Sequence, residues 1–432
     1  MPDFDLAVIG GGIAGLGVFE CAGRAGLKAV LLERGLPGGE TTAVTSSLLH
    51  GGLRYLPHDA PTSLLMCREI SRIRRERADL LKRQAFLWPV YSGEFLRLGL
   101  IEALQAEYDL LAPLRGARVH ARLSAAEAAR VQPGLKRDGL LGAVAFDEWR
   151  VDVPRLVSSL VESGRAAGGE LWEGWEVSAM SVRGGAVASI SAEDGRGERR
   201  EVSARICVNA AGPWAEEVAR LAGVSSVRLR LRKGAHLVIE GPPPPHGLIF
   251  RGPGGRRLGV YPRDHETWVG PTDEPHEGPP GRVEVSEAEI SEIRRSLSEV
   301  LPELASRPCR AVAGLRPILM QGGASFLLSR EHRVFDHSSE GVENFISIAG
   351  GKLTTYRPMG LDVLSVVLKK LGQARTPVVA DREAGLPWTF RHSHGRLIDA
   401  LSSVVLLAYF VVRRIFSGSG REGWAAFEGD KP

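Results

Sequence analysis

DLAVIGGGIAGLG, Asp5–Gly17, carries a short apolar run straight into three consecutive glycines and then into a helix-like pattern. The run before Gly10 is rich in strand formers, and apolar residues recur at helical spacing to about Ala25. A second apolar run, Ala29–Leu32, ends in Glu33. Strand, glycine turn, helix and strand make one β-α-β unit. Within it, Gly10-x-Gly12-x-x-Gly15 has the context of a dinucleotide fingerprint. Gly10 permits the tight turn, Gly12 admits a pyrophosphate against the backbone, and Gly15 lets helix and strand approach. The helix N-terminus offers partial positive charge to phosphates. Glu33, about twenty residues on, is placed to accept ribose hydroxyls.

The rest of the chain repeats this alternation with interruptions. VDVPRLVSSLVESGRAAGGELW, Val151–Trp172, returns to helix then strand and leads to ARICVNAAGPWA, Ala204–Ala215. NFISIAGGKLTTYRPMGLDVLSVVLKKLG, Asn344–Gly372, is again strand, glycine turn and helix. Between these blocks lie strand patterns such as RLRLRKGAHLVIE, Arg228–Glu240, and LGVYPRDHETWVG, Leu258–Gly270. EGPPPPHG, Glu240–Gly247, reads as a surface loop, and a basic helix is expected near Ser71–Arg83. The expected fold is α/β: a Rossmann-like nucleotide-binding domain with an inserted β-rich α+β substrate domain. The nucleotide-binding domain is drawn from 1–80, 150–215 and 310–388. The substrate domain takes 81–149 and 216–309, and 389–432 forms a tail.

Composition narrows the class. The 432 residues are 44% hydrophobic and 25% charged, which is ordinary for a globular protein. A formal charge of +4 gives no argument for nucleic acid but tolerates an anionic substrate. The four cysteines, Cys21, Cys67, Cys207 and Cys309, form no CxxC pair. That argues against a metal centre, an iron–sulfur cluster or a disulfide framework, and fits a reducing compartment. The N-terminus has no basic region ahead of an apolar one, so no secretory signal is read and a cytoplasmic location is expected.

The fingerprint cannot choose between FAD and NAD. The stretch TSSLLHGGLRYL, Thr45–Leu56, bears on that choice, because its paired glycines can lie against a flat ring while His50, Arg54 and Tyr55 converge beside it. VIGGGIAGLG, TSSLLHGGLRYL, VNAAGPWA, GLRP and GGKLTTYR, in order, resemble the FAD-dependent glycerol-3-phosphate dehydrogenases of the D-amino-acid-oxidase-like flavoprotein superfamily. The likeness runs from Asp5 to about Leu386, and its second and last motifs are its most specific.

The resemblance implies a glutathione-reductase-type FAD domain and oxidation of sn-glycerol 3-phosphate to dihydroxyacetone phosphate. It implies hydride transfer to flavin N5 and reoxidation by a quinone or another acceptor. It places Arg54, Tyr55, Arg316, Arg330 and Thr354 against substrate, with Arg333 competing for the role of Arg330. Guanidinium forks suit phosphate oxygens. Catalytic roles fall to Arg54, Arg316, Lys352 and a histidine, with His236 and His50 both open as the base. Cofactor contacts are implied for Gly10, Gly12, Gly15, Glu33, Arg34, Ser46, Ser47, Gly51, Gly52, Val177, Ala211, Gly212, Gly351, Lys352, Leu353 and Thr354. The glycines of the second motif are expected to face the cofactor, its polar residues the phosphate.

Two alternatives stand beside this reading: a flavin enzyme for another 2-hydroxy or 2-amino acid, and a flavin-binding protein without turnover. The chain departs from the family pattern at Gly270-Pro271-Thr272-Asp273, where a second threonine is usual in place of proline, and in its short C-terminal region. No cysteine follows Cys309, so no iron–sulfur relay is expected there. The apolar run Ala400–Val412 would span about 20 Å as a helix, short of a bilayer core. Peripheral membrane contact through 397–416 and oligomer formation are left open.

Overall fold

The computed structural model describes residues 2–57, 59–94, 98–281, 283–320 and 332–373. Its first layer is a six-stranded sheet in the order Arg333–Asp336, Phe345–Ala349, Ala204–Asn209, Phe4–Ile9, Ala29–Glu33, Glu170–Glu173. All pairs are parallel except the first, which is antiparallel at the edge. Side chains alternate across a strand. In Phe4–Ile9, Leu6 and Val8 enter one core while Ala7 and Ile9 enter the other. Burial on both faces explains why the strand reads as a continuous apolar run.

On the Leu6 side, helix Ile13–Arg24 lies against helices Val153–Arg165 and Tyr356–Lys370. Contact with the last helix is close, for Gly17 and Gly360 meet backbone to backbone. The opposite face is covered by a three-stranded antiparallel sheet, Trp175–Arg183, Ala186–Asp194 and Arg199–Val202.

The second layer is a ten-stranded sheet. Its longest ladders join Leu81–Tyr91 to Leu140–Val151, and Leu229–Glu240 to Cys309–Leu319, all antiparallel. Helix Glu287–Ser298 covers one face, burying Ile293 and Leu297 against Leu237, Leu248 and Val260. Helix Leu98–Asp109 lies over another part of the sheet, where Ile101 meets Phe86, Val144 and Phe146.

Two expectations are corrected. The helix expected near Ser71–Arg83 is Ala60–Glu76, and Leu81–Tyr91 is a strand. Asp59 caps the helix by accepting from Thr62 N–H, and Pro61 sits in its first turn, the signals that mark its true start. Lys82 and Arg83 are exposed residues at the open end of the strand, so their charge carried no helical meaning. The segment Cys309–Leu319, expected mostly with the nucleotide-binding fold, pairs residue for residue with Leu229–Glu240 in the large sheet. Leu48–Leu49 likewise joins the large sheet, beside Trp149 and Arg150. Residues 374–432, which include the expected tail, lie outside the described residues. Among the described residues no helix is long and apolar enough to cross a membrane.

Candidate active site

One cavity of about 560 Å³ runs from the glycine turn after Phe4–Ile9 to the paired strands Leu229–Glu240 and Cys309–Leu319. At its first end Gly10 takes φ +101°, a conformation that favours glycine, and an added Cβ would stand 2.8 Å from Ala210 O. Gly15 presses helix Ile13–Arg24 onto the Gly10 carbonyl and leaves no room for a side chain. Gly12, by contrast, has only Thr42 Oγ1, at 3.8 Å, near the place of its missing Cβ. Gly12 is also the helix N-cap and supplies no side-chain cap, so that helix end is open toward the cavity.

Glu33 holds the turn from below. Its Oε2 accepts Gly11 N–H at 2.6 Å and its Oε1 accepts Gly35 N–H at 2.7 Å. A carboxylate has about four acceptor positions, so ribose hydroxyls remain within its capacity. Arg34 lies 3.8 Å over the Trp214 ring and pairs with Glu40 at 3.2 Å. Ser46, Val177, Ala211, Gly212, Gly351, Lys352 and Leu353 line the same cavity. An open turn, a helix N-terminus and an acid at the strand terminus fit the diphosphate and ribose of FAD.

At the far end His50, Tyr55, His236, Arg316 and Lys352 share the wall. His50 and Tyr55 stack with ring centroids 6.2 Å apart, and Lys352 Nζ stands 4.8 Å from the Tyr55 centroid. Arg316 is fixed by Thr272 O, which accepts from both Nη1 and Nη2 at 3.0 Å, and by Asp273 Oδ1 at 3.2 Å from Nη1. Asp273 also binds Arg232 Nε at 2.7 Å and Arg256 Nη1 at 3.2 Å. Of these three arginines Arg316 lies on the cavity wall, where with Lys352 it supplies the positive charge a phosphate dianion requires.

His236 is buried at 2% exposure, edge-on to Trp268 at 5.3 Å. Neither ring nitrogen has a hydrogen-bond partner. Burial, together with Arg316 and Arg263, pushes its pKa down to about 3, so it is neutral at pH 7. A buried polar group without a partner is costly, which sets His236, on the cavity wall, apart from an ordinary core histidine.

Several expected residues lie off the wall. Arg54 is exposed, with its guanidinium 5.4 Å from the Tyr55 centroid and Nη2 3.5 Å from Tyr55 Oη. Thr354 is buried behind the wall, its hydroxyl 3.5 Å from His50 O. Ser47, at φ +56°, lines a separate polar cleft beside Arg150 and Arg263. The expectation that Gly51 and Gly52 turn toward the cofactor is corrected. A Cβ on Gly51 would collide with Tyr108, Arg115 and Cys67, and one on Gly52 would crowd Ser63 and Met66. Their missing side chains let the segment press against helix Ala60–Glu76 and its neighbours. Arg330 lies outside the described residues. Arg333, its competitor, stacks on Phe335 at the edge of the parallel sheet and is not on the cavity wall.

Sequence reasoning passed over four residues. Thr42 accepts Ile13 N–H at 3.0 Å and completes the helix end. Trp214 lay inside a quoted motif, yet its stacking on Arg34 had no local signal. Asp273 had one, as the retained acid of Gly270–Asp273. Tyr261 is half-buried near two arginines: desolvation pushes its phenol up to about 12, with Arg54 and Arg316 pulling the other way.

These features define a flavoprotein, and comparison with known proteins agrees. The family model described as FAD dependent oxidoreductase matches residues 5–357, and the chain belongs to that family. It is 32% identical over 403 residues to a glycerol-3-phosphate dehydrogenase of Mycobacterium bovis, covering 86% of this chain and 74% of the relative. It is 27% identical to the aerobic glycerol-3-phosphate dehydrogenase of Staphylococcus haemolyticus, covering 86% of this chain and 68% of that one. The solved FAD complex of the glycerol-3-phosphate dehydrogenase from Bacillus halodurans superposes with TM-score 0.68 at 23% identity, over 89% of this chain and 68% of its own. Within its family the chain belongs with the FAD-dependent glycerol-3-phosphate dehydrogenases.

Proposed function

We propose that the chain oxidises the secondary alcohol of sn-glycerol 3-phosphate to dihydroxyacetone phosphate. FAD, bound along the glycine turn, supplies the two-electron acceptor. The observation that carries the reading is the union of a nucleotide cradle and a positive, histidine-bearing pocket in one cavity. Arg316, preset by Thr272 and Asp273, grips the phosphate with charge-assisted hydrogen bonds. Tyr55 and Lys352 close the same end, and the Lys352 ammonium offsets negative charge accumulating beside it.

His236 accepts the hydroxyl proton on one of its ring nitrogens. It is neutral at pH 7, and an arriving dianion raises its affinity for a proton, so basicity appears when substrate is present. His50, stacked on Tyr55, orients the substrate instead of competing for the proton. The parallel-sheet layer carries the nucleotide-binding function, and the large sheet carries substrate recognition. Arg54, at the mouth, draws the anion in. Electrons leave to a quinone or another small acceptor, with membrane contact and self-association as accessory properties.

A dye-linked assay with sn-glycerol 3-phosphate, glycerol, lactate and D-amino acids tests this reading. Turnover should be confined to the phosphorylated polyol. Equal turnover of a D-amino acid would reassign the pocket.

A further inference from the structure

The stretch that presents His50 and Tyr55 is anchored from behind by a residue that plays no part in the scheme above. Strand Leu48–Leu49 pairs with Arg150 and Trp149, so Glu148 falls opposite His50 as the chain leaves the sheet. Glu148 is 4% exposed. Its Oε2 accepts Gly51 N–H at 3.2 Å, and its Oε1 accepts the Tyr108 hydroxyl at 2.7 Å. The Arg115 guanidinium covers the Tyr108 ring at 3.6 Å and donates to Asp147 O at 2.9 Å. Cys67 Sγ donates to Gly51 O at 3.4 Å, and Ser63 Oγ donates to Gly52 O at 2.9 Å. There is no space at Gly51 for a Cβ, so the segment has one way to sit.

We propose that Glu148 is a positioning residue for the substrate end of the cavity, acting through the Gly51 amide to fix where His50 and Tyr55 stand. A buried carboxyl is retained at a cost, and an apolar residue of similar size would avoid that cost. What the carboxyl provides is an acceptor aimed at the Gly51 amide, directly after the first of the two stacked rings. Packing alone explains Gly52, whose carbonyl has Ser63, but leaves the choice of a long-reaching polar acceptor at 148 unexplained. The proposal rests on the reading that His50 and Tyr55 meet the substrate.

Two variants separate position from bulk. Glu148→Asp keeps the charge beside Arg115 but withdraws the carboxylate from Gly51 by one methylene. Glu148→Gln keeps the reach, with its amide oxygen accepting Gly51 N–H and its NH2 turned to the Tyr108 oxygen. Two readouts are taken: KM and kcat for sn-glycerol 3-phosphate, and amide hydrogen exchange over residues 49–56 in the holoenzyme without substrate. E148D should raise KM about tenfold with kcat changed less than threefold, the scale of one charge-assisted hydrogen bond. It should also speed exchange at Gly51 at least tenfold, while E148Q stays near wild type in both. Tyr108→Phe, which spares the Gly51 contact, should leave that amide protected. Wild-type exchange at Gly51 in E148D overturns the proposal, as does equal acceleration in E148D and Y108F. Because exchange is read without substrate, it stands even where the substrate assignment fails.

Discussion

The guanidinium of Arg316 occupies the space that a side chain on Gly234 would need. An added Cβ would stand 2.5 Å from Arg316 Cζ, with the two residues on neighbouring strands paired at Arg232–Arg316 and Gly234–Gly314. Gly234→Ala should therefore displace the guanidinium from Thr272 O without touching the nucleotide cradle. Losing one charge-assisted bond costs about 1.5–3 kcal/mol, or about ten- to a hundredfold in KM. Steady-state kinetics beside FAD content checks this. The ratio of FAD to protein should hold at the wild-type value.

Arg316→Lys and Arg54→Lys should differ. Lysine keeps the charge and loses the planar fork. At Arg316 the fork grips Thr272 O from two nitrogens, so KM should rise about ten- to a hundredfold. At Arg54, exposed at the mouth, the substitution should cost threefold or less, on the order of an exposed charge contact. Parallel kinetics of the two variants decides, and equal losses would put Arg54 on the substrate.

His236→Asn should lower kcat by about 10²–10⁴, the usual span for a general base, with FAD retained. Stability carries a second signature. The folded-state pKa of His236, about 3, lies below its unfolded value, so its share of stability is lost as pH falls through the window from about 6.5 to 3. Thermal melts of wild type and variant should converge toward acid pH and separate by neutrality. A pH-independent gap would mean the ring is not buried neutral.

Glu148 gives the opposite sign. Burial raises its folded-state pKa to about 7, against the pull of Arg115 and the Tyr108 and Gly51 hydrogen bonds, with Asp147 pushing it up further. Cys67, on the helix packed behind Gly51, stays a thiol, its pKa raised to about 12 by burial. A carboxyl that holds its proton more tightly when folded contributes stability that falls as pH rises from about 4.5 to 7. The advantage of wild type over Glu148→Gln in melting temperature should shrink between pH 5 and pH 8. A constant difference across that range would contradict a raised pKa.

Much of this was legible in the residues. Asp5–Glu33 carries its fold because each constraint is local: two-faced burial makes the strand, and turn sterics make Gly10 and Gly15. Arg316 and His236 were visible as members of motifs. Their setting was not, because Thr272, Asp273 and Trp268 reach them through strand pairing across the large sheet. Gly51 and Gly52 were misread because a missing side chain does not say which neighbour needed the room. Glu148 was invisible for a related reason: it reaches Gly51 from 97 residues away, with one of two adjacent acids, Asp147 and Glu148, in a largely apolar strand as its only trace. The start of helix Ala60–Glu76 could have been found, since Asp59 and Pro61 announce it.

Anaerobic titration of the purified protein shows whether one cavity joins FAD to a phosphorylated polyol. The protein should be yellow, and denaturation should release FAD into solution, since no attachment through the chain is expected. Added stepwise without oxygen, sn-glycerol 3-phosphate should remove the flavin absorbance at one equivalent per FAD, with dihydroxyacetone phosphate recovered in equal amount. Glycerol, lactate and D-alanine at the same concentrations should leave the spectrum unchanged. Bleaching by D-alanine or lactate with none by glycerol 3-phosphate, or a colourless protein that binds NAD instead, would contradict the account.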